Sequence, residues 1–489
     1  MMGPNGTAAV TGVSNNGEFQ MTSRGLGDDT GVQEVAPAGG GGIGLPNGHY
    51  GDDTAEERAE KYPLGNSGAA GAVSNFVNTI VGAGIVGLPY ALAQSGLWAG
   101  AFMMFLAAYL NARATNMLIA TGEKTGRLNY EELMAHAFGN AGMYVYSFFV
   151  VVLAFGAMSA YLVIVADTIP EVAKASGVST GPFVDRHAVI ALFGIFAVLP
   201  LSLLKDLSKL SYTSGVSVLA DVLLTFIVIF AGADEADGIE GIESSERFDF
   251  IRPRIFAGFG AISFAFVSQS SSFLVYRSMS KGGVDRWAYV TRWSMSIALG
   301  MGLTLALSGY LNFVNETKGN ILNNFSTAHK PANAARTFLA LTMVFTYPME
   351  MYVSRHVLDV AVFQTMLGKG PITPARHYGL TLGLWALTII LSMSTDNLGS
   401  ILEIFGAFGA SIIGYVLPAL LFMKFNQGDL RRARAVWTSG SSQYVPALGE
   451  RLWATRDVSF PIFMVIFGVV AMVAGVATAV VAELTPTKS

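Results

Sequence analysis

The sequence predicts an all-α polytopic membrane protein with eleven transmembrane helices, and three observations carry that expectation. Of 489 residues, 52% are hydrophobic and 13% charged, with a mean hydropathy of +0.48; a soluble globular chain carries about 25% charged residues. Eleven apolar runs approach the roughly 20 residues that a helix needs to cross a bilayer. Lys and Arg are unevenly shared between the connections of alternate runs, the bias that orients a membrane protein.

Residues 1–70 are Gly-, Asn-, Asp- and Glu-rich, with GGGG at 39–42. They bury too little apolar surface to fold and read as a disordered cytoplasmic tail; the apolar core of a secretory signal is missing from them. The membrane domain, 71–485, holds the runs at approximately 72–95, 98–120, 143–168, 187–204, 211–233, 255–276, 290–313, 335–357, 377–394, 398–422 and 458–483. With the amino terminus placed inside, 20 of the 30 Lys and Arg fall on inner segments and nine on outer ones, with Arg113 inside the second run. The carboxyl terminus then lies outside. The acidic stretch 234–249 and two glycosylation acceptor patterns, at Asn315 and Asn324, also fall outside on this assignment.

Composition excludes other classes. Cys is absent, so disulfides, thiol nucleophiles and Cys-based metal sites are impossible. The six His form no metal-binding pattern, and no phosphate-cradling or dinucleotide-binding glycine motif occurs. No basic stripe suits nucleic acid. The sequence makes no case for an enzyme or for a bound cofactor.

The first run, SNFVNTIVGAGIVGLPYALAQSGLW, carries Gly82, Ala83, Gly84, Gly87 and Pro89 in its middle. Glycine adds backbone freedom and proline removes a donor, so a helix weakens there. Broken backbone survives in hydrocarbon only where it lines a cavity or finds partners. Free amides at Gly82, Ala83 and Gly84, at a positive helix end, can take the carboxylate of a small zwitterion. Close packing of small residues is the rival explanation. The sixth run is interrupted by Ser268-Gln269-Ser270-Ser271-Ser272; the alternative there is serine hydroxyls bonding their own helix carbonyls.

With these features in hand, the chain resembles the amino acid/auxin permease family, in particular sodium-coupled neutral amino acid transporters and fungal vacuolar amino acid transporters. The resemblance rests on Asn78–Tyr90 (NTIVGAGIVGLPY), Ser263–Tyr276 (SFAFVSQSSSFLVY), Thr346–Arg355 (TYPMEMYVSR) and Gly406–Leu421 (GAFGASIIGYVLPALL). It implies two inverted five-helix repeats of the bacterial leucine-transporter type, 72–233 and 255–422, plus an extra helix at 458–483. Matching interruptions in two halves are the sequence pointer to a midplane site. The resemblance also implies Asn78 and Thr346 as sodium ligands, with Thr342 one turn away on the same face.

The substrate ammonium is expected to meet free carbonyls and Ser263 or Ser268. Ser268-Gln269 stands where the family usually has Cys-His, which bears on substrate preference and pH response. Tyr161 is a candidate to close the pocket. Asp221, Glu350 and Arg355 are intramembrane ionisable residues, candidates for gating or coupling. Pro418 with Gly406, Gly409 and Gly414 suggests a bent tenth helix.

The expected function is secondary active transport of neutral L-amino acids, coupled to sodium or a proton, in the plasma membrane or a vacuole or lysosome. The expected partners are the amino acid and the bilayer, with a monomer as the working unit. A proton-coupled vacuolar or lysosomal exporter and a non-transporting amino acid sensor are the alternatives.

Overall fold

The computed structural model describes residues 61–204, 213–236, 246–427 and 459–484, and these are almost entirely helical. Of the tail expected over 1–70, residues 1–60 lie outside the described residues, while 61–70 are described, with Tyr62 buried and the first helix starting at Ala69.

The first apolar run is two helices, α1 (Ala69–Ile80) and α2 (Leu88–Ser95), joined by a tight 3₁₀ turn at Ala83–Gly87 and bent by 52°. Pro89 sits in the first turn of α2, where its missing N–H costs nothing. Gly96 then adopts positive φ and leads straight into α3 (Leu97–Thr125). Asn129 caps α4 (Tyr130–Ala175) by accepting from Glu131 N–H, and Gly139, at φ 64°, kinks its first turns away from the long apolar stretch. Next come α5 (Arg186–Phe193), a π-helical turn at Gly194–Val198, α6 (Leu199–Ser202) and α7 (Thr213–Ala236).

The second half begins with another broken pair, α8 (Ile255–Phe266) and α9 (Gln269–Ser278). Then follow α10 (Val284–Phe313), α11 (Lys330–Leu358) and, after a π-helical segment at Asp359–Met366, α12 (Pro374–Ser394). The tenth run is α13 (Leu398–Phe405), π turns at Gly406–Ala410 and Ile412–Val416, and α14 (Leu417–Phe425), whose first turn takes Pro418. Finally α15 (Ser459–Leu484) lies against α8, α13 and α14.

Each of the eleven apolar runs is therefore helical, but the count of membrane-length apolar helices among the described residues is lower. Six qualify, and the bent pair α1–α2 makes a seventh. Polar residues such as Asn111 and Arg113 in α3 and Glu350 in α11 interrupt the hydropathy of two long helices, and 186–202 and 219–232 are short. Phe102, Phe196, Phe230, Ile390 and Ile466 are exposed large apolar side chains. A bundle with a buried core and such an outer surface is a helical membrane protein.

α4 packs along α11, α10 against α3, α1, α2 and α7, and α8 against α2, α13 and α15. The two broken pairs thus lie at the centre. A methyl on Gly84 would come within 2.6 Å of Ala265 Cα, so only glycine lets the first break reach α8.

Candidate functional site

At the first break, Gly82 is extended (φ −117°, ψ −158°) and the turn's first bond runs from Ile85 N–H to Gly82 O at 3.0 Å. The Gly82 N–H, expected free, instead donates to Ile80 O at 3.1 Å because the chain turns back on the end of α1, whereas the N–H groups of Ala83 and Gly84 precede the turn's first bond and point ahead of the helix. At the second break, Val267 is extended and Ser268 leaves helical geometry. Both interruptions expected from the sequence are real breaks.

A cavity of about 360 Å³ adjoins both of them. Gly82, Gly84, Phe264, Ser270 and Ser271 belong to its wall near the breaks, and Tyr161 and Glu350 face it from α4 and α11. It continues to Asn129, Glu131, Arg277 and His356, on the side that the charge bias assigns to the inside.

Of the residues expected at the substrate site, the structure brings Gly82, Gly84 and Tyr161 together at the cavity, with the Ala83 backbone between the glycines. Ser263, Ser268 and Gln269 are not among the lining residues. Ser263 Oγ lies 3.1 Å from the Tyr415 hydroxyl, and Asn111 Nδ2 donates to that hydroxyl at 3.3 Å. Gln269, fully buried, donates through Nε2 to Asn111 Oδ1 at 2.7 Å and to Gly414 O at 3.3 Å, while its Oε1 accepts from Ser268 N–H. These groups form one buried network behind the cavity, tying the second break to α3 and to the π turn at Ile412–Val416. Ser272 bonds back to Gln269 O at 2.7 Å, whereas Ser270 and Ser271 reach the cavity. Within the serine cluster, the phase of α9 after the break decides which hydroxyl faces where, and sequence reading does not supply that phase.

The residues expected to hold an ion divide between two helices. Thr346 Oγ1 donates to Thr342 O, and Thr342 Oγ1 to Phe338 O, each at 2.8 Å. With their protons spent on α11, both hydroxyls keep lone pairs for a cation. Asn78 Oδ1 on α1 is buried without a hydrogen bond, an orphan acceptor suited to a hard cation. α1 packs on α10, α9 and α7, and extensive packing against α11 is not seen among the described residues. The two halves of the expected ion site therefore stand apart in this conformation.

The ionisable candidates also separate. Asp221 is buried on α7, away from the cavity lining. Arg355 donates to Ser202 O and to Thr381 Oγ1, each at 2.9 Å, which staples α11 to α6 and α12. Glu350 alone of the three lines the cavity. Asn315 is exposed, while the Asn324 side chain accepts from Lys318 N–H and donates to Glu316 O.

Sequence reading missed the charged groups at the two ends of the bundle. On the expected outer side, Arg186 pairs with Asp167 and Asp396, and Asn323 donates to Asp167. On the expected inner side, residues ahead of α1 are laid along the loop after α9. Gly65 N–H donates to Arg277 O, Ser67 N–H to Ser278 O and Ser280 N–H to Ser67 O. Lys61 and Tyr62 engage Glu132 of α4. Such pairings join residues far apart in the chain, and no local pattern announces them.

The profile of the family described as transmembrane amino acid transporter protein matches residues 65–481. A Danio rerio protein, provisionally named sodium-coupled neutral amino acid transporter 11, is 28% identical over 410 residues, covering 83% of this chain and 87% of its own. The Saccharomyces cerevisiae protein named vacuolar amino acid transporter 2 is 27% identical, over 71% of this chain and 74% of its own. A Schizosaccharomyces pombe protein named vacuolar amino acid transporter 5 is 27% identical, over 74% and 86% respectively. Among solved structures, a nucleobase-cation-symport-1 family transporter in a closed conformation aligns with TM-score 0.49 and 14% identity, over 88% of this chain and 95% of its own.

Proposed function

This chain belongs to the transmembrane amino acid transporter family, and from that premise we propose that it is a secondary active transporter of neutral L-amino acids working by alternating access. The observation that carries the reading is the cavity where the two helix breaks meet. The substrate carboxylate takes the free amides of the first break, and the ammonium takes carbonyls released at both. Eleven spans in two inverted five-helix repeats plus one, with the amino terminus inside and a monomer as the working unit, complete the proposal. The cavity's extension toward Asn129, Glu131, Arg277 and His356 fits an inward-facing state, and the outer Arg186–Asp167–Asn323 cluster fits a closed outer side.

Coupling to sodium is supported by the orphan Asn78 Oδ1 and by the hydroxyl lone pairs of Thr342 and Thr346. Bringing α1 against α11 in the outward-facing state would assemble these oxygens around one ion. An ion that binds better in that state shifts the equilibrium toward it. Two relatives are named vacuolar amino acid transporters, and a proton-coupled vacuolar or lysosomal exporter is the second reading.

The experiment is uptake of labelled alanine and glutamine into proteoliposomes under an imposed sodium or pH gradient, with Asn78→Ala and Thr346→Ala alongside. Sodium-driven accumulation lost in both variants is expected. Accumulation driven only by pH and indifferent to both substitutions rules out the sodium site.

A further inference from the structure

Four ionisable groups other than tyrosines line the cavity, and three of them have neighbours of matching chemistry. His356 Nε2 lies 3.9 Å from Glu131 Oε2, and the Arg277 guanidinium sits 5.9 Å from the centroid of the Tyr62 ring. Glu350 differs. No cationic partner faces its carboxylate among the described residues. Arg355, on the same helix, is turned to Ser202 O and Thr381. Tyr161 of α4 lines the same cavity.

An unpaired carboxylate on a membrane-embedded wall is costly, and a cation that enters the cavity can meet it. Alongside polar groups such as Ser270 and Ser271, the cavity wall carries Tyr146, Tyr161, Phe264, Phe273, Leu274 and Val353. A carboxylate and aromatic rings lining one cavity are the groups that recognise an ammonium or guanidinium, one through a charge-assisted hydrogen bond and the other through the face of the ring. The apolar wall suits the methylene stem of such a side chain.

Position separates this role from binding the α-ammonium. Among the described residues α11 packs chiefly on α4, α7, α6 and α12, and extensive packing against the first break is not seen, so Glu350 stands on a different wall from the amides that take the α-carboxylate. A basic side chain bridges such a gap, whereas an α-ammonium stays beside its own carboxylate.

We propose that the cavity also accepts amino acids with cationic side chains, lysine and arginine, with Glu350 as the specificity-determining carboxylate and the Tyr161 ring on the same cavity wall. The inference rests on the transport reading and adds a second substrate class to it.

The test uses the whole protein in proteoliposomes with labelled alanine, competed by lysine and arginine or by their uncharged counterparts norleucine and citrulline. Lysine and arginine are expected to compete roughly tenfold better or more, the worth of one charge-assisted hydrogen bond. Glu350→Gln is expected to erase that preference in the alanine uptake it retains, and Glu350→Asp to keep part of it. Equal competition by charged and uncharged forms in the wild type overturns the proposal, as does a preference that survives Glu350→Gln. If Glu350→Gln carries nothing at all, the wild-type competition decides. A wild type that accumulates no amino acid defeats the transport reading instead, and thermal stabilisation of the purified protein by lysine over norleucine then decides the cationic selection.

Discussion

Arg254, the residue that precedes the first turn of α8, donates through Nη2 to Oε2 of Glu403 on α13 at 2.8 Å. Glu403 is fully buried, its Oε1 has no hydrogen bond, and Arg254 is about one-third exposed. The pair therefore ties α8 to α13 through one buried charge. Removing the cation strands that charge, and breaking such a pair costs about 3–5 kcal/mol. Arg254→Ala is therefore expected to lower the unfolding temperature of the detergent-purified protein clearly. Glu403→Gln, which removes the charge but keeps an acceptor for Arg254, is expected to lower it less. The reverse order contradicts the account of this pair.

The two glycines of the first break are expected to respond differently to the same substitution. Around Gly82 no heavy atom lies within 4 Å of an added methyl, whereas at Gly84 the methyl meets Ala265 backbone. Gly84→Ala is expected to destabilise by about 1–3 kcal/mol, as overpacking does, and to lose uptake. Gly82→Ala is expected to fold normally and to raise KM, because its methyl enters the cavity wall. Thermal unfolding and uptake kinetics on both variants check this.

The buried network of Ser263, Tyr415, Asn111 and Gln269 is expected to behave as a unit. Gln269→Ala leaves Asn111 Oδ1 and Ser268 N–H without their partner, at about 1–3 kcal/mol for each buried group left unmatched. Asn111→Ala disturbs the same bonds. In a double-mutant cycle on unfolding, the combined variant is expected to lose less than the two single losses together. Strict additivity would show that these side chains are independent.

Much of the central architecture was legible locally. Glycine and proline at 82–89 and the serine cluster at 268–272 marked both breaks, because chain-breaking residues act on their own backbone. The limits of legibility are set by partners distant in sequence. Gln269 reads as a cavity residue until Asn111 and Gly414 are seen to claim its amide. Glu403 reads as one acidic residue in an apolar run until Arg254 is seen beside it. Glu350 and Arg355 lie five residues apart on one helix, and only the fold shows that one turns to the cavity and the other to α12. The expected ion ligands illustrate a third limit, since Asn78 and Thr346 lie on α1 and α11, between which extensive packing is not seen among the described residues, and no local pattern places one helix against another.

The absence of cysteine from the chain permits the most direct measurement on the central claim, that the cavity between the two breaks is the transport path. Ser271→Cys places one thiol on its wall. In proteoliposomes, a membrane-impermeant thiol reagent is expected to modify it from the cytoplasmic face, to abolish alanine uptake, and to be held off by excess alanine. Modification that leaves uptake intact and is indifferent to alanine would contradict the account.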